Sequence, residues 1–422
     1  MIDIKLIREK PEVVRKNLEK RKSDFPLDDL ISLDKKWREL KKEIDRLRKE
    51  RNEKSTQIAE MRKKGKDSKE LQKAVKKINV EIKRKEKEYE ELGKKRKHLW
   101  MQLPNLLHDS VPYGEDEKDN VEIKRWGEPK DFDFPVKNHI EILEALGLID
   151  IERGAKVAGA RFYYIKDDLV KLDYALINFA LDHMRKKGYV AVEPPYMMNR
   201  RAYEGVTDLA DFETVMYKIE NDDLYLIATS EHPMAAMFMD EIIDPAELPI
   251  KLTGISPCFR REVGSHGKYS KGLFRMHQFN KVEQFIFCLP EDSWDFLEEL
   301  QRNAEELYES LGIPYRVVNV CTGDIGTVAA KKYDIEGWFP SAGEYKEIGS
   351  NSNCTDYQAR RLNIRFGKEG GEKGYVHTLN NTALATSRTM IAIIENNQNE
   401  DGSVDIPKVL WKYLDFKRLE KK

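Results

Sequence analysis

Residues 251–289 read KLTGISPCFRREVGSHGKYSKGLFRMHQFNKVEQFIFCL. The run predicts two long β-strands rich in Phe, Ile and Val, joined by a loop that Gly264, Gly267 and Gly272 punctuate. Side chains alternate along a strand, so Cys258, Arg260 and Glu262 are expected on one face of the first arm, and Arg275, Phe279 and Glu283 together on the second. If both faces line one cavity, it holds two guanidinium forks, two carboxylates and an aromatic plane, and few cores tolerate that set unpaired. Arginine forks match carboxylate or phosphate oxygens, an aromatic ring stacks a base, and a carboxylate takes an ammonium or a metal. Together they suit a nucleoside triphosphate and an amino acid. A surface hairpin whose Arg and Glu pair across the ladder fits the same spacing.

Outward from the hairpin, the bulk properties set the class. The chain has 422 residues, a net charge of -1 and 35% charged residues, which fits a soluble protein of two or three domains. No apolar run is long enough to span a bilayer, and the N-terminus is charged from its third residue, so no membrane association and a cytoplasmic location are expected. Cys258, Cys288, Cys321 and Cys354 form no CxxC pair and are expected as reduced, buried thiols. The wealth of Lys and Glu is in keeping with a heat-adapted source.

The first hundred residues have a different character. Apolar residues recur at a four-three spacing through Leu33, Trp37, Leu40, Ile44 and Leu47, then Ile58 and Met61. After a turn with Gly65, Asp67 and Ser68, the spacing resumes from Leu71 to Leu99. An antiparallel helical hairpin over about 29–103 follows, each arm of roughly 30 residues spanning 45 Å. From Ile31 to Trp100 there are 26 Lys and Arg against 14 Asp and Glu, a net of +12 that leaves -13 for the remainder. A basic arm on an acidic body points to a polyanionic partner, most commonly nucleic acid, although an ordinary solvated coiled coil is also rich in Lys and Glu.

Residues 1–104 are accordingly expected as an N-terminal nucleic-acid-binding domain, 105–157 as a linker and 158–422 as the catalytic domain. Within the last, a helix over Leu169–Lys187 ends at Gly188 and is followed by a strand running into Glu193-Pro194-Pro195, a suitable dimer edge. Tyr225–Glu231 predicts a strand stopping on Thr229, Ser230 and Glu231, where either hydroxyl suits a helix cap. Glu291–Leu311 predicts a helix with Trp294 and Phe296 in the core. Glu347 precedes Ser350 in a small, polar strand, and a strand over Tyr375–Leu379 leads to a helix holding Arg388, which needs an anion near its buried face.

These segments together resemble a class II aminoacyl-tRNA synthetase, specifically the coiled-coil seryl-tRNA synthetases. The three class motifs correspond to the helix and strand ending at Pro195, the Phe259-Arg260-Arg261-Glu262 hairpin ending at Glu283, and the strand-helix with Arg388. TSE at Thr229, RMHQFNKVE from Arg275, EIGSNSNCTDYQARR from Glu347 and TLNNTALATSRT from Thr378 add seryl-type features, and the likeness covers the chain, arm included. The resemblance implies an α+β fold, an antiparallel sheet flanked by helices with an N-terminal two-helix arm. It implies ATP, Mg²⁺, L-serine and tRNA(Ser) as ligands, tRNA(Sec) as a further candidate, and a homodimer.

Carried residue by residue, the resemblance gives Arg260 the α-phosphate and serine carboxylate, Glu262 the adenine, Phe279 and Arg388 the two sides of its ring, and Arg275 the γ-phosphate. Arg261, Met276, Ile348 and Gly349 complete the ATP site, and Glu347 and Ser350 are the implied Mg²⁺ ligands. Thr229, Ser230, Glu231, Glu283 and Thr382, with Arg260, are the implied serine contacts. The family often has Gly-Ser where this chain has Asn381-Thr382, and the hydroxyl is retained. Two other classes accommodate the same fold: a ligase loading a small amino acid on a carrier protein, and a catalytically silent scaffold. The basic arm argues against the first and the intact Arg260, Glu262, Glu283, Glu347 and Arg388 against the second.

Overall fold

The computed structural model describes residues 1–208, 215–262, 272–368 and 370–422. It separates into two units, Asp3–Leu103 and Pro104–Lys422, the latter with the first two residues. Gly264 and Gly267 of the hairpin loop lie outside the described residues.

The N-terminal unit is built on α1 (Leu27–Lys63) and α2 (Lys69–Gln102), of 37 and 34 residues. At 1.5 Å per residue they reach about 55 and 50 Å, longer than the spacing alone indicated, because helix continues on both sides of the periodic stretch. Leu47 buries against Ile78 and Ile82, and Leu40 and Ile44 are buried too, while Ile58, Met61, Leu71 and Val75 nearer the turn are only half-buried. Trp37 stacks on Tyr89 with ring centroids 4.8 Å apart, and Gly93 leaves room for the indole, since a Cβ there would sit 3.1 Å from Trp37 Nε1. At the base of the hairpin Asp34, 2% exposed, accepts hydrogen bonds from Arg8 Nε, Arg38 Nε and Arg96 Nε at 2.8, 2.9 and 2.7 Å. Burial opposes charge on Asp34, but the Arg8 and Arg96 guanidinia hold it below the usual carboxylate range.

The second unit is organised by an eight-stranded sheet. Its strands are β1 (Val121–Trp126), β2 (Val190–Val192), β3 (Ile250–Phe259), β4 (Gln278–Cys288), β5 (Tyr315–Asn319), β6 (Lys331–Phe339), β7 (Glu344–Thr355) and β8 (His377–Ala385). They lie in the order β1-β5-β6-β7-β8-β4-β3-β2, antiparallel except for the edge pair of β2 and β3. The stretch expected as a connector therefore does more than connect: Val121–Trp126 pairs with β5 as the sheet's other edge. Its near-complete exposure hides the strand from any search for an apolar run. β8 also runs farther than the Tyr375–Leu379 expectation, to Ala385.

Helices α3 (Asp168–Lys186), α4 (Arg200–Val206), α5 (Glu231–Ala235), α6 (Ser293–Leu311), α7 (Tyr357–Leu362) and α8 (Thr386–Asn396) flank this sheet. One face packs on α3, α6 and α8 through Val282, Ile286, Ile335, Leu379 and Leu384. Polar strand residues bury there too, because they satisfy helix carbonyls: Asn351 Nδ2 donates to Leu297 O at 2.9 Å, Asn353 Nδ2 to Ser293 O at 3.1 Å and Asn381 Nδ2 to Leu300 O at 2.7 Å. Trp294 and Phe296 pack at the rim of this core as expected. All four cysteines are free and buried. Among the described residues no helix is long and apolar enough to cross a membrane.

Candidate active site

The opposite face of the sheet is a polar strip, and the ladder registers define it. Glu283 on β4 lies opposite Gly254 on β3 and Thr382 on β8, Lys281 opposite Ser256, and Phe279 opposite Cys258. Farther along, Ser350 on β7 lies opposite Asp334 on β6. Strand alternation puts these side chains on the face away from α6. Gly254 is required by close packing, because a Cβ there would meet Met234 Cε at 2.7 Å and Ser230 Cβ at 2.9 Å. This close approach lets the Thr229–Glu231 turn sit over β3.

Two carboxylates meet at one end of the strip. Glu283 is 1% exposed and ion-paired to Lys281 Nζ at 2.5 Å, the lysine itself being 6% exposed. Glu231, at the start of α5, accepts from Gln358 Nε2 at 3.2 Å, and Gln358 is in turn held by Thr378 Oγ1 at 2.7 Å. Burial, and then the negative charge of Glu283, pushes the Glu231 carboxyl up to about 7. Burial also raises Glu283, against the pull of Lys281, Arg260 and a hydrogen bond from Thr382. A cationic group entering between the two acids would relieve both. The turn is fixed from behind by Tyr203, whose oxygen accepts from Ala228 N at 3.0 Å and lies 3.0 Å from His232 Nδ1. Burial, with Lys281 and Arg260 nearby, lowers His232 to about 3, so it stays neutral.

Cations dominate the other end. Arg260 lies 5.3 Å from the Phe279 centroid and donates from Nε to Ala228 O at 3.4 Å. Arg388, on α8, donates to the Glu347 carbonyl at 2.9 Å and lies 3.2 Å from its carboxylate. Desolvation would raise Glu347, but Arg388, Lys332 and Arg260 together hold it below the usual carboxylate range. Glu347 and Ser350 are three residues apart, which on a regular strand would place them on opposite faces. The β6–β7 ladder slips here: Ile335 pairs with Gly349 and Glu336 with Glu347, leaving Ile348 as the extra residue of a bulge. Glu347 and Ser350 thereby face Glu336 and Asp334, which are two apart and share one side. Tyr308 Oη donates to the Ile348 carbonyl at 3.3 Å, and Gly337 leaves space for the Ile348 side chain.

Oxygen donors only are present near this bulge, and they fit magnesium. Among the described residues no group of three or more His, Cys, Asp or Glu converges as a cage. Glu347 and Ser350 would supply two ligands and leave the others to phosphate and water, which is how magnesium is ordinarily held. Buried Asp334 beside them has an oxygen, Oδ1, with no hydrogen-bond partner among the described residues.

The structure thus gathers Glu231, Glu283 and Thr382 at one end, and Arg260, Glu347, Ser350 and Arg388 at the other. Thr229 Oγ1 accepts from Glu231 N at 3.1 Å in the turn ahead of α5, while Ser230, at the N-cap, donates from Oγ to Gly254 O at 3.2 Å instead of capping. Met276, Ile348 and Gly349 are buried, leaving backbone as their means of contact. Glu262 and Arg275 depart from the expected alternation. β3 ends at Phe259, Glu262 has φ 48°, and Arg275 precedes β4, so neither belongs to a strand face. They pair with each other, Arg275 Nε to Glu262 at 2.7 Å, beyond the end of the ladder and not across it. Arg261 is exposed. Arg388 lies 4.8 Å from the Phe274 ring, which the sequence reading had not singled out. Lys281, Asp334, Lys332 and Gln358 were also missed. Strand parity with Glu283 could have found Lys281; the others depend on strand order.

Comparison with known proteins gives the same picture. Residues 213–397 match the family model for the tRNA synthetase class II core domain (G, H, P, S and T), and residues 1–107 match the seryl-tRNA synthetase N-terminal domain. The chain is 57% identical to the serine–tRNA ligase of Methanocella arvoryzae over 98% of its own length and 99% of the relative's. It superposes on the crystal structure of seryl-tRNA synthetase from Pyrococcus horikoshii complexed with ATP with a TM-score of 0.95, at 50% identity and full coverage of both chains. A cytoplasmic serine–tRNA ligase of Naegleria fowleri in complex with AMP gives a TM-score of 0.89 at 36% identity, covering 100% of this chain and 99% of that one.

Proposed function

The chain belongs to the class II seryl-tRNA synthetases, the serine–tRNA ligases, and we propose that the polar strip is where it joins serine to ATP. The observation that carries this is the strip's polarity along its length: Glu231 and the buried Glu283 at one end, and Arg260, Arg388 and the Glu347–Ser350 pair at the other. An amino acid lying along it presents its ammonium to the acids and its carboxylate to Arg260.

Thr229, Ser230, Glu231, Glu283 and Thr382 form the serine pocket. Glu231 and Glu283 receive the ammonium and hydroxyl, with Thr382 opposite Glu283 across the ladder. Alanine would leave these buried groups unmatched, which costs far more than a missing methyl. ATP is held by Arg260, Arg261, Glu262, Arg275, Met276, Phe279, Ile348, Gly349 and Arg388. Its adenine stacks between Phe279 and Arg388. Taking that position requires Arg388 to leave Phe274 and Glu347, and taking the γ-phosphate requires Arg275 to leave Glu262. Glu347 and Ser350 would hold magnesium, which would supply charge neutralisation on the phosphates.

In the first step the serine carboxylate attacks the α-phosphorus in line, forming the P–O bond of seryl-adenylate as pyrophosphate departs. Arg260 orients the carboxylate and stabilises the oxygens that gain charge, and no protein nucleophile is needed. In the second, a ribose hydroxyl at the 3′ end of tRNA(Ser) attacks the adenylate carbonyl and AMP leaves, its own phosphate being placed to take the proton. Residues 1–104, with the basic arm, grip the tRNA, mainly through phosphate and shape, while 158–422 carry the chemistry. The same grip extends to tRNA(Sec). A homodimer through the β2 edge is supported by exposed Tyr174, Val190 and Met197 around it.

Exchange of pyrophosphate into ATP, measured with serine, threonine, alanine and glycine in the absence of tRNA, tests the reading. Serine-dependent exchange far above the others is expected. Exchange with alanine or glycine instead would transfer the function to a carrier-protein ligase.

A further inference from the structure

Asp334 stands on β6 directly opposite Ser350 on β7, and no role so far uses it. It is 5% exposed, so its polar atoms should all be matched. Ser350 is its neighbour across the ladder. Oδ2 lies 3.8 Å from Lys332 Nζ, an ion pair too long for a hydrogen bond. Oδ1 has no hydrogen-bond partner among the described residues. An unmatched carboxylate oxygen in this setting costs stability unless a donor arrives with the ligand.

The serine geometry gives the arrangement a direction. A hydroxyl has one proton and two lone pairs. If the Ser350 hydroxyl donates a hydrogen bond to Asp334, its lone pairs are left for an electrophile. The bulge at Ile348 puts Glu347 on the same side, within electrostatic range of Asp334. Lys332 keeps the two carboxylates from expelling one another.

We propose that Asp334 is a positioning residue for the divalent cation. With the cation bound it accepts a hydrogen bond from the Ser350 hydroxyl, so that the Ser350 oxygen is oriented to the cation, and its Oδ1 accepts a hydrogen bond from water in the cation's hydration shell. The inference rests on the assignment of Glu347 and Ser350 as cation ligands. Such outer carboxylates typically change metal affinity 10- to 100-fold when replaced. Asp334→Asn keeps the shape and an acceptor for Ser350 but turns one oxygen into a donor. Asp334→Ala removes both contacts.

The experiment is Mn²⁺ titration followed by electron paramagnetic resonance on the full chain, with saturating α,β-methylene-ATP, alongside thermal unfolding. Asp334→Asn is expected to weaken Mn²⁺ binding about 10-fold or more. Asp334→Ala should add little in a Ser350→Ala background, because the two act as one unit. If Ser350→Ala and Glu347→Gln weaken Mn²⁺ binding while Asp334→Asn stays within twofold of the parent, the inference fails and the ligand assignment stands. A lower melting temperature for Asp334→Asn with unchanged Mn²⁺ affinity would likewise overturn it, leaving a structural ion pair with Lys332. If Ser350→Ala and Glu347→Gln also leave affinity unchanged, the ligand assignment falls with it.

Discussion

Replacing Glu231 by glutamine should make the protein more stable and less able to bind its amino acid, and the size of the effect follows from the site. The ordinary carboxyl value is near 4.5, and burial, reinforced by the charge of Glu283, raises it to about 7 in the folded chain. Between those two pH values the folded chain holds a proton that the unfolded chain has released. Stability therefore falls as pH rises through the window, and the loss is complete above about 7. A rise of that extent corresponds to roughly 3 kcal/mol, shared by two acids that titrate as a pair. Glutamine cannot ionise, and its oxygen can still accept from Gln358. Glu231→Gln is thus expected to exceed the parent in stability by 1–3 kcal/mol at pH 8, roughly a few degrees in melting temperature, and to match it near pH 4.5. Scanning calorimetry of both proteins across this range measures the difference directly. Adding serine should raise the parent's melting temperature and leave the variant's nearly unchanged, because the ammonium has lost an anionic partner. A constant offset between the two proteins at every pH, or a variant less stable at pH 8, would refute the reasoning.

Three other perturbations probe separate features. Gly254→Ala places a Cβ within 2.7 Å of Met234 Cε and 2.9 Å of Ser230 Cβ, so the Thr229–Glu231 turn must move; kcat/KM for serine in pyrophosphate exchange should fall at least 10-fold, with a smaller change in KM for ATP. Asp34→Asn leaves the Arg8, Arg38 and Arg96 charges without a counter-charge at the base of the hairpin; a destabilisation of about 3 kcal/mol is expected, seen as earlier helix loss on urea titration and faster proteolysis of the arm. Removing residues 49–81 and closing the helices with a short turn keeps the Asp34 cluster; serine-dependent exchange should persist while charging of tRNA drops more than 100-fold, and equal loss of both activities would contradict the separation of roles.

Much of this arrangement was legible because local pattern and global fold agree. The hairpin strands, the helix over Ser293–Leu311 and the arm all announce themselves by periodicity. What escaped reading depends on partners remote in sequence. Glu262 adopts a left-handed backbone just past the strand, so counting by twos from Cys258 misplaced it. The three-residue spacing of Glu347 and Ser350 becomes a shared face only through the bulge at Ile348, which is a property of the ladder with β6. Lys281 drew no attention in the sequence, and its burial follows from the ion pair with Glu283 two residues on along the same strand face. Asp34 reads as one more charge on a charged helix, and only Arg96, 62 residues later, and Arg8 explain its burial. The Asn351, Asn353 and Asn381 amides were legible as polar but not as core, because helix carbonyls supply the partners.

The uneven charge of the chain, +12 between Ile31 and Trp100 and -13 elsewhere, has a consequence for the medium in which it works. Every phosphate an arm lysine neutralises frees condensed counterions, so the equilibrium for nucleic acid falls steeply with electrolyte concentration; six such contacts would cost on the order of a thousandfold between 50 and 200 mM salt. The small-molecule half of the reaction works with buried, close charges that salt screens far less. Ionic strength therefore acts as a selective throttle on the macromolecular step, and a rising salt concentration would let activated serine accumulate on the enzyme while its delivery slows.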